Sequence, residues 1–360
     1  MQSTNIRIDG HGHLLPHPHE IPKFMKEKKI FWVCDDGKYM YQGDWKRPVT
    51  DDSFFLEQKI EWLEKNQINH EVILNLSQLY CNGMEKEITY DVIRFQNDFN
   101  ASIQATHGNF FTCGFVVQAN YIDLAIKEID RCVNELGLGL VCLPTHYLDD
   151  NKQWKTIYNE DTIPLFQYID NLGLAVEIHP YDGEKFIKLE NQFWRFHLIW
   201  MCAQTADAYH FFSSLNFADK FPNTRTCFAH GNQYGQINVG RRKQGYYGRP
   251  DLFKDAVPPE QNIRKHNVYF DSIVHDVYSF RLLVDRQTAE QVIAGIDSPY
   301  PLGEMESTKD SYPGKVIDDA LALGFINEVE HAKIWNENVI DWLVKPEGKE
   351  DLINRITNKN

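Results

Sequence analysis

The sequence has 360 residues, of which 42% are hydrophobic and 24% are charged, as in an ordinary folded globular protein. Its formal net charge of -14 argues against a nucleic-acid-binding surface, which needs basic side chains to neutralise phosphates. No apolar run reaches the roughly 18 residues needed to cross a bilayer, and MQSTNIRIDGHGH does not have the pattern of a secretory signal, so we expect a cytoplasmic protein without membrane contact.

Short apolar runs typical of strands alternate with longer helical patterns, as in βα units around a parallel sheet. The runs are apolar nearly throughout, as expected of strands covered on both faces. Eight strands are predicted, at residues 6–9, 71–76, 110–116, 139–144, 174–178, 226–229, 267–271 and 291–296. Eight repeats favour a (β/α)8 TIM barrel built as one domain from residues 1–360, although an open doubly wound sheet fits the same alternation.

Three further segments complete the predicted architecture. Residues 15–56 form an insertion after the first strand, and alternating segments around Asp36-Gly37 predict a small β-rich flap over the barrel mouth. Residues 121–137 have the 3.6-residue period of a helix that packs one stripe on the sheet. Residues 315–360 are predicted to form terminal helices that complete the barrel or an interface.

His11 and His13 come directly after the first predicted strand. Residues two apart in a strand face the same way, so both imidazoles are predicted to point into one cavity. The same spacing recurs at His17 and His19, which means that the pair alone is weak evidence for a metal site.

Three more strands end in residues that bind metals or transfer protons: His179, His230 and Asp297 follow the fifth, sixth and eighth strands. The carboxyl ends of barrel strands surround one mouth, where catalytic residues lie. The alternative is that these histidines cap helices or form hydrogen bonds at the rim. Imidazoles with a carboxylate and no thiolate suit Zn²⁺ or another divalent ion such as Mn²⁺, Fe²⁺ or Co²⁺.

We therefore predict one metal held by His11, His13, His179 and Asp297. His230 would be the catalytic acid or base beside it, because the unperturbed pKa of a histidine, about 6.5, permits proton transfer near neutral pH. Asp297 is predicted to serve in catalysis as well as in metal binding.

The segments IDGHGH, EIHP, FAHGN and GIDSPYPLGE together resemble the amidohydrolase superfamily. Within it, the order of LAIKEIDRCVNELG, TCFAHG, GRPDL and YFDSIVHD resembles the aminocarboxymuconate-semialdehyde decarboxylases, over nearly the whole chain. This resemblance implies a homodimeric, zinc-dependent barrel that removes CO₂ from a small unsaturated or aromatic carboxylic acid. It also implies the four metal ligands predicted above and a catalytic role for His230.

By the same resemblance, Arg47 in the insertion and Arg241 after the sixth strand match arginines that bind substrate carboxylates. Arg241 would reach the site of the neighbouring subunit. A guanidinium pairs bidentately with a carboxylate, so the two arginines would allow an acidic protein to bind an acid.

The sequence departs from the family near the expected substrate. His197 stands where the family has a tryptophan, close to Trp194, and Asn232 replaces a small residue; we predict that all three contact the substrate. The sequence DSPYP also replaces DYPFP. These departures leave the identity of the acid open.

Two other functions remain as alternatives. The first is a hydrolase or hydratase of the same superfamily that acts on a lactone, an amide or an activated double bond, and the second is a barrel that binds a ligand without catalysis. His275 and Asp276, after the seventh strand, could support the metal ligands, but Asp276 could equally begin a helix.

Overall fold

The computed structural model describes residues 6–34, 36–180, 192–304 and 310–358. In this part of the chain the strands are β1 (Ile8–His13), β2 (Trp32–Val33), β3 (Tyr39–Gln42), β4 (Trp45–Pro48), β5 (His70–Leu74), β6 (Phe111–Val116), β7 (Leu140–Pro144), β8 (His146–Leu148), β9 (Trp154–Thr156), β10 (Ala175–His179), β11 (Arg225–Phe228), β12 (Val268–Asp271) and β13 (Val292–Ile293).

The α-helices of the same part are α1 (Lys23–Glu27), α2 (Leu56–Lys65), α3 (Lys86–His107), α4 (Ile122–Asn134), α5 (Ile163–Leu172), α6 (Met201–Ser214), α7 (Phe217–Lys220), α8 (Gln233–Ile237), α9 (Val239–Gly248), α10 (Val277–Gln287), α11 (Lys315–Ala322), α12 (Glu328–Trp335), α13 (Glu337–Leu343) and α14 (Lys349–Thr357). None of them is both long enough and apolar enough to span a membrane.

Eight parallel strands form the central sheet, in the order β1, β5, β6, β7, β10, β11, β12 and β13. Backbone hydrogen bonds from Gly10 N to Ala294 O and from His13 N to Ser298 O, both 2.8 Å, join β1 to the chain that continues from β13. The (β/α)8 barrel prediction is confirmed, because an open doubly wound sheet would leave these two edges apart.

The helices lie outside the strands and bury one face each. Helix α4 buries Ala125, Ile129 and Cys132 against the main hydrophobic core, as the period of residues 121–137 predicted. Near its end Gly137 adopts a φ of 69°, a left-handed conformation that is easy only for glycine. Helices α11 to α14 occupy the C-terminal stretch predicted to be helical, of which residues 359 and 360 lie outside the described chain.

The insertion after β1 contains the expected β-rich flap, an antiparallel sheet of β2, β3 and β4. Trp32 pairs with Tyr41, and their rings are stacked with centroids 5.0 Å apart. Met40 pairs with Arg47 on β4. The flap therefore positions Arg47 on a regular strand rather than on an irregular loop.

Six barrel strands lie within one or two residues of their predicted bounds, and the first and the last differ more. Strand β1 begins and ends later than residues 6–9, so His11 and His13 belong to the strand itself. Glycine makes this possible, because a side-chain carbon at Gly10 would lie 2.8 Å from the Ala294 carbonyl oxygen. At the other edge regular pairing covers only Val292–Ile293 of the predicted 291–296. The hairpin of β8 and β9 was not predicted.

Candidate active site

His11, His13, His179 and Asp297 converge at the carboxyl ends of the strands, and all four are buried. The ring nitrogens of the three histidines lie within 4.8 Å of one another. His11 Nε2 is 3.3 Å from His13 Nε2, and Asp297 Oδ1 is 3.1 Å from His13 Nε2. The three imidazoles thus form a group that could hold a divalent metal ion, and the Asp297 carboxylate lies beside two of them.

Asp271, the last residue of β12, supports this cluster and was missed in the sequence. Its Oδ2 accepts a hydrogen bond from His11 Nδ1 at 2.8 Å, so the other ring nitrogen, Nε2, faces the cluster. The same oxygen accepts the backbone N–H of His230 at 2.9 Å. A carboxylate in this position fixes the tautomer and the orientation of a histidine ligand.

His230 reaches the mouth through a left-handed turn after β11. His230, Gly231 and Asn232 have φ angles of 56°, 59° and 47°, and such backbone strain in non-glycine residues concentrates at functional sites. The His230 ring centroid is 5.0 Å from that of His179 and 5.5 Å from that of His11. His230 is therefore beside the cluster and also lines the adjacent cavity.

Burial and nearby charges have opposite effects on the pKa values of these side chains. Burial lowers the pKa of His11, but the hydrogen bond to Asp271 and its charge prevail and raise that pKa to about 9. Burial also raises the pKa of Asp297, yet the hydrogen bond from His13 and the nearby histidines hold it below its ordinary value. Burial dominates at His230 and lowers its pKa to about 4.

The cluster forms one wall of a cavity of about 820 Å³, counting its open mouth. The Arg47 guanidinium lies 3.8 Å above the ring centroid of Tyr300, and Arg47 Nη2 is buried without a hydrogen bond to the described residues. The remaining lining is mostly apolar or aromatic, from Leu76, Trp194, Leu198, Met201, Ile273, Pro301 and Leu302. Such a cavity suits a flat, mainly apolar molecule that carries an anionic group.

Trp194 and His197, which were predicted to contact the substrate, line the same cavity. Their ring centroids are 4.9 Å apart. Burial, followed by the charge of Arg47, lowers the pKa of His197 to about 4, and His197 Nδ1 has no hydrogen bond within the described chain. His197 is thus placed to exchange a hydrogen bond with a ligand.

Asn232 and Arg241 do not line this cavity. Asn232 is buried behind the wall, and the neighbouring Gln233 faces the cavity in its place. Arg241 is exposed on α9. Their predicted contacts with substrate therefore stay predictions.

The structure also shows different positions for His275 and Asp276, the two residues considered after β12. Asp276 begins α10, where its Oδ1 accepts the backbone N–H groups of Tyr278 and Ser279 at 3.0 and 3.1 Å, whereas His275 lines the cavity. Asp271 could have been found in the sequence by the same reasoning as Asp297, since it is the polar residue that ends an apolar strand. Tyr300 is the tyrosine of DSPYP, and the departure of that segment from DYPFP marked its position in the sequence without assigning it a role.

The fold and the cluster together define a (β/α)8 barrel with a candidate divalent-metal site at the carboxyl ends of the strands. A family model described as Amidohydrolase matches residues 84–340, and the chain belongs to this family.

Among curated proteins, the chain is similar to a 2-amino-3-carboxymuconate-6-semialdehyde decarboxylase from Dictyostelium discoideum, with 27% identity over 87% of this chain and 86% of the relative. Among solved structures it is similar to 5-carboxyvanillate decarboxylase from Sphingomonas paucimobilis, with 17% identity, a TM-score of 0.75 and coverage of 94% of this chain and 99% of the other.

A second similar structure is a dihydroxybenzoic acid decarboxylase from Polaromonas sp. JS666 with bound manganese and the inhibitor 2-nitroresorcinol. It has 14% identity and a TM-score of 0.71, and the match covers 94% of this chain and 97% of the other. At these identities the two structures support the fold.

Proposed function

We propose that this protein is a metal-dependent, non-oxidative decarboxylase of a small unsaturated or aromatic carboxylic acid. The proposal rests on Arg47 Nη2, which has no hydrogen-bond partner among the described residues and lies in the wall of the cavity that the histidine and aspartate cluster closes. A buried guanidinium nitrogen without a partner is costly, and a carboxylate is its best partner. The relative from Dictyostelium, which bears the name of a decarboxylase, agrees with this reaction class.

The proposed metal ligands are His11, His13, His179 and Asp297. We propose Zn²⁺ as the native ion, since neutral imidazoles with one carboxylate suit it, with Mn²⁺, Fe²⁺ and Co²⁺ as the alternatives. The ion supplies a Lewis acid that polarises the bound substrate.

The protein's own side chains then bind and protonate the substrate. Arg47 pairs with a carboxylate and orients the ring or chain toward the cluster. The bond between the carboxyl carbon and its neighbour breaks, CO₂ leaves, and the electron pair stays on the neighbouring carbon. The neutral His230 ring relays a proton from solvent to that carbon, taking up one proton at one ring nitrogen as it releases another, so that a C–H bond replaces the C–C bond.

We also propose that the protein is a homodimer in which Arg241 reaches the site of the partner. Arg241 is exposed on α9 and outside its own cavity. Helix α8 packs against α6 and α10 and leads into α9, and large apolar side chains are exposed at Ile237, at the end of α8, and at Leu198 and Ile199, just before α6. Sedimentation across a dilution series tests this, with activity expected to fall as dimers dissociate. A fully active monomer contradicts the role of Arg241.

The proposed reaction is tested by CO₂ release into the headspace from a panel of acids. The panel contains 2-amino-3-carboxymuconate 6-semialdehyde, 5-carboxyvanillate and 2,6-dihydroxybenzoate, together with lactones, amides and activated alkenes. Release of CO₂ from at least one acid supports a decarboxylase. Turnover of a lactone, amide or alkene without CO₂ from any acid would instead identify the hydrolase or hydratase.

A further inference from the structure

Tyr300 lies in the wall of the cavity, three residues after Asp297. Its side chain is only 8% exposed, and its ring centroid is 5.1 Å from that of His13. The Tyr300 hydroxyl donates no hydrogen bond to the residues that the structure describes. Buried phenol groups normally have a partner, so this hydroxyl is available to a bound molecule.

The Tyr300 hydroxyl hydrogen and Arg47 Nη2, neither of which is donated to another described residue, belong to one arrangement. The Arg47 guanidinium carbon lies 3.8 Å from the centroid of the Tyr300 ring, as in a cation–π contact. The guanidinium covers the face of the ring, while the hydroxyl projects from its edge. A carboxylate has two oxygens about 2.2 Å apart, so one group can approach both donors.

Tyr300 acts as a donor in this setting. The ordinary pKa of a tyrosine phenol is about 10, well above neutral pH. The hydroxyl therefore keeps its proton at neutral pH and can donate it in a hydrogen bond to an anion.

We propose that the Tyr300 hydroxyl donates a hydrogen bond to the same substrate carboxylate that pairs with Arg47, so that the two side chains form one carboxylate-binding site. This inference rests on the proposed function, which assigns the cavity to an acid. It adds a second contact to the anion and makes Tyr300 a determinant of specificity for carboxylates over neutral groups of the same shape.

The test is calorimetric binding of benzoate and of benzamide, which has nearly the same shape without the charge, to the wild-type protein and to Tyr300→Phe. We expect Y300F to weaken benzoate binding about 10- to 100-fold, the loss typical of a hydrogen bond to a charged group. Benzamide binding should change by less than about 3-fold, because a hydrogen bond to a neutral group is weaker.

Tyr158→Phe is the matched control. Tyr158 is also fully buried, and its hydroxyl also has no hydrogen bond to the described residues, but it packs in the core rather than in the cavity. Y158F should leave both affinities unchanged. In a Tyr300→Phe, Arg47→Gln double variant the effects should be less than additive, because both side chains bind one anion.

Unchanged benzoate affinity in Y300F overturns the inference. An equal loss of benzamide affinity in Y300F also overturns it, because it would indicate altered packing. Failure of the wild-type protein to bind benzoate overturns it as well. A wild-type protein that prefers benzoate through Tyr300 but releases no CO₂ from any acid supports the Tyr300 contact and contradicts only the proposed reaction.

Discussion

Replacing Asp271 with asparagine should weaken metal binding and destabilise the mouth of the barrel. Asp271 Oδ2 accepts hydrogen bonds from His11 Nδ1 (2.8 Å) and His230 N (2.9 Å), and Oδ1 accepts from Gly231 N (2.9 Å) and Ile273 N (3.1 Å). An amide has one acceptor oxygen, so its NH₂ group faces two N–H donors in either orientation. Two lost bonds at about 1 kcal/mol or more each predict a loss of roughly 2 kcal/mol or more in the free energy of unfolding.

The effect on metal binding follows from the tautomer of His11. An amide N–H beside Nδ1 favours the tautomer with its proton on Nε2, the nitrogen that faces the cluster. We therefore expect the metal dissociation constant to rise about 10- to 100-fold, as is typical when the carboxylate behind a histidine ligand is lost.

Metal affinity is measured by competition with a chelator of known affinity, and stability by urea denaturation. Asp276→Asn is the control, because Asp276 caps α10 and asparagine caps a helix equally well. D276N should leave both quantities unchanged. A D271N protein with wild-type metal affinity and stability would refute the role given to Asp271.

Three further substitutions test the account. Arg47→Gln should lower kcat/KM about 10- to 100-fold, mostly through KM, whereas Lys46→Gln, the exposed neighbour on β4, should not change it; equal kinetics for the two would contradict the Arg47 contact. His230→Ala should keep the bound metal in elemental analysis and lower kcat about 10²- to 10⁴-fold, and full activity would disprove the proton transfer. Burial lowers the pKa of His70 to about 3, so the unfolded chain binds a proton below about pH 6.5 that the folded protein excludes. His70 alone should therefore lower the free energy of unfolding by about 2 kcal/mol between pH 7 and pH 5, in addition to the loss from other buried histidines. Urea titrations should find that the loss in His70→Gln is smaller than in the wild type by this amount, and an identical loss in H70Q would contradict it.

The barrel could be predicted because each strand is a separate apolar run, and such a run is visible in a few consecutive residues. The same pattern located His179, His230 and Asp297, since the residue that follows a parallel strand lies at the mouth. Placing them around one point required only that the strands close into a barrel.

Contacts between residues distant in the chain could not be predicted in this way. Asp271 and His11 are 260 positions apart, and their hydrogen bond depends on how β12 and β1 face each other across the barrel. The stacking of Arg47 on Tyr300 likewise joins the flap to the chain after β13. The position of Asn232 after β11 could be predicted, but the direction of its side chain could not. The left-handed turn after β11 keeps Asn232 out of the cavity lining.

The most direct test of the central claim is metal-dependent release of CO₂. The protein is stripped with a chelator and titrated with Zn²⁺, or with Mn²⁺ in a parallel series, while ¹³CO₂ is measured from a carboxyl-labelled acid of the panel above. The account predicts no release without metal and a linear rise that ends at one ion per chain. Release that persists after complete removal of metal, or that never appears at one ion per chain with any acid, would contradict it.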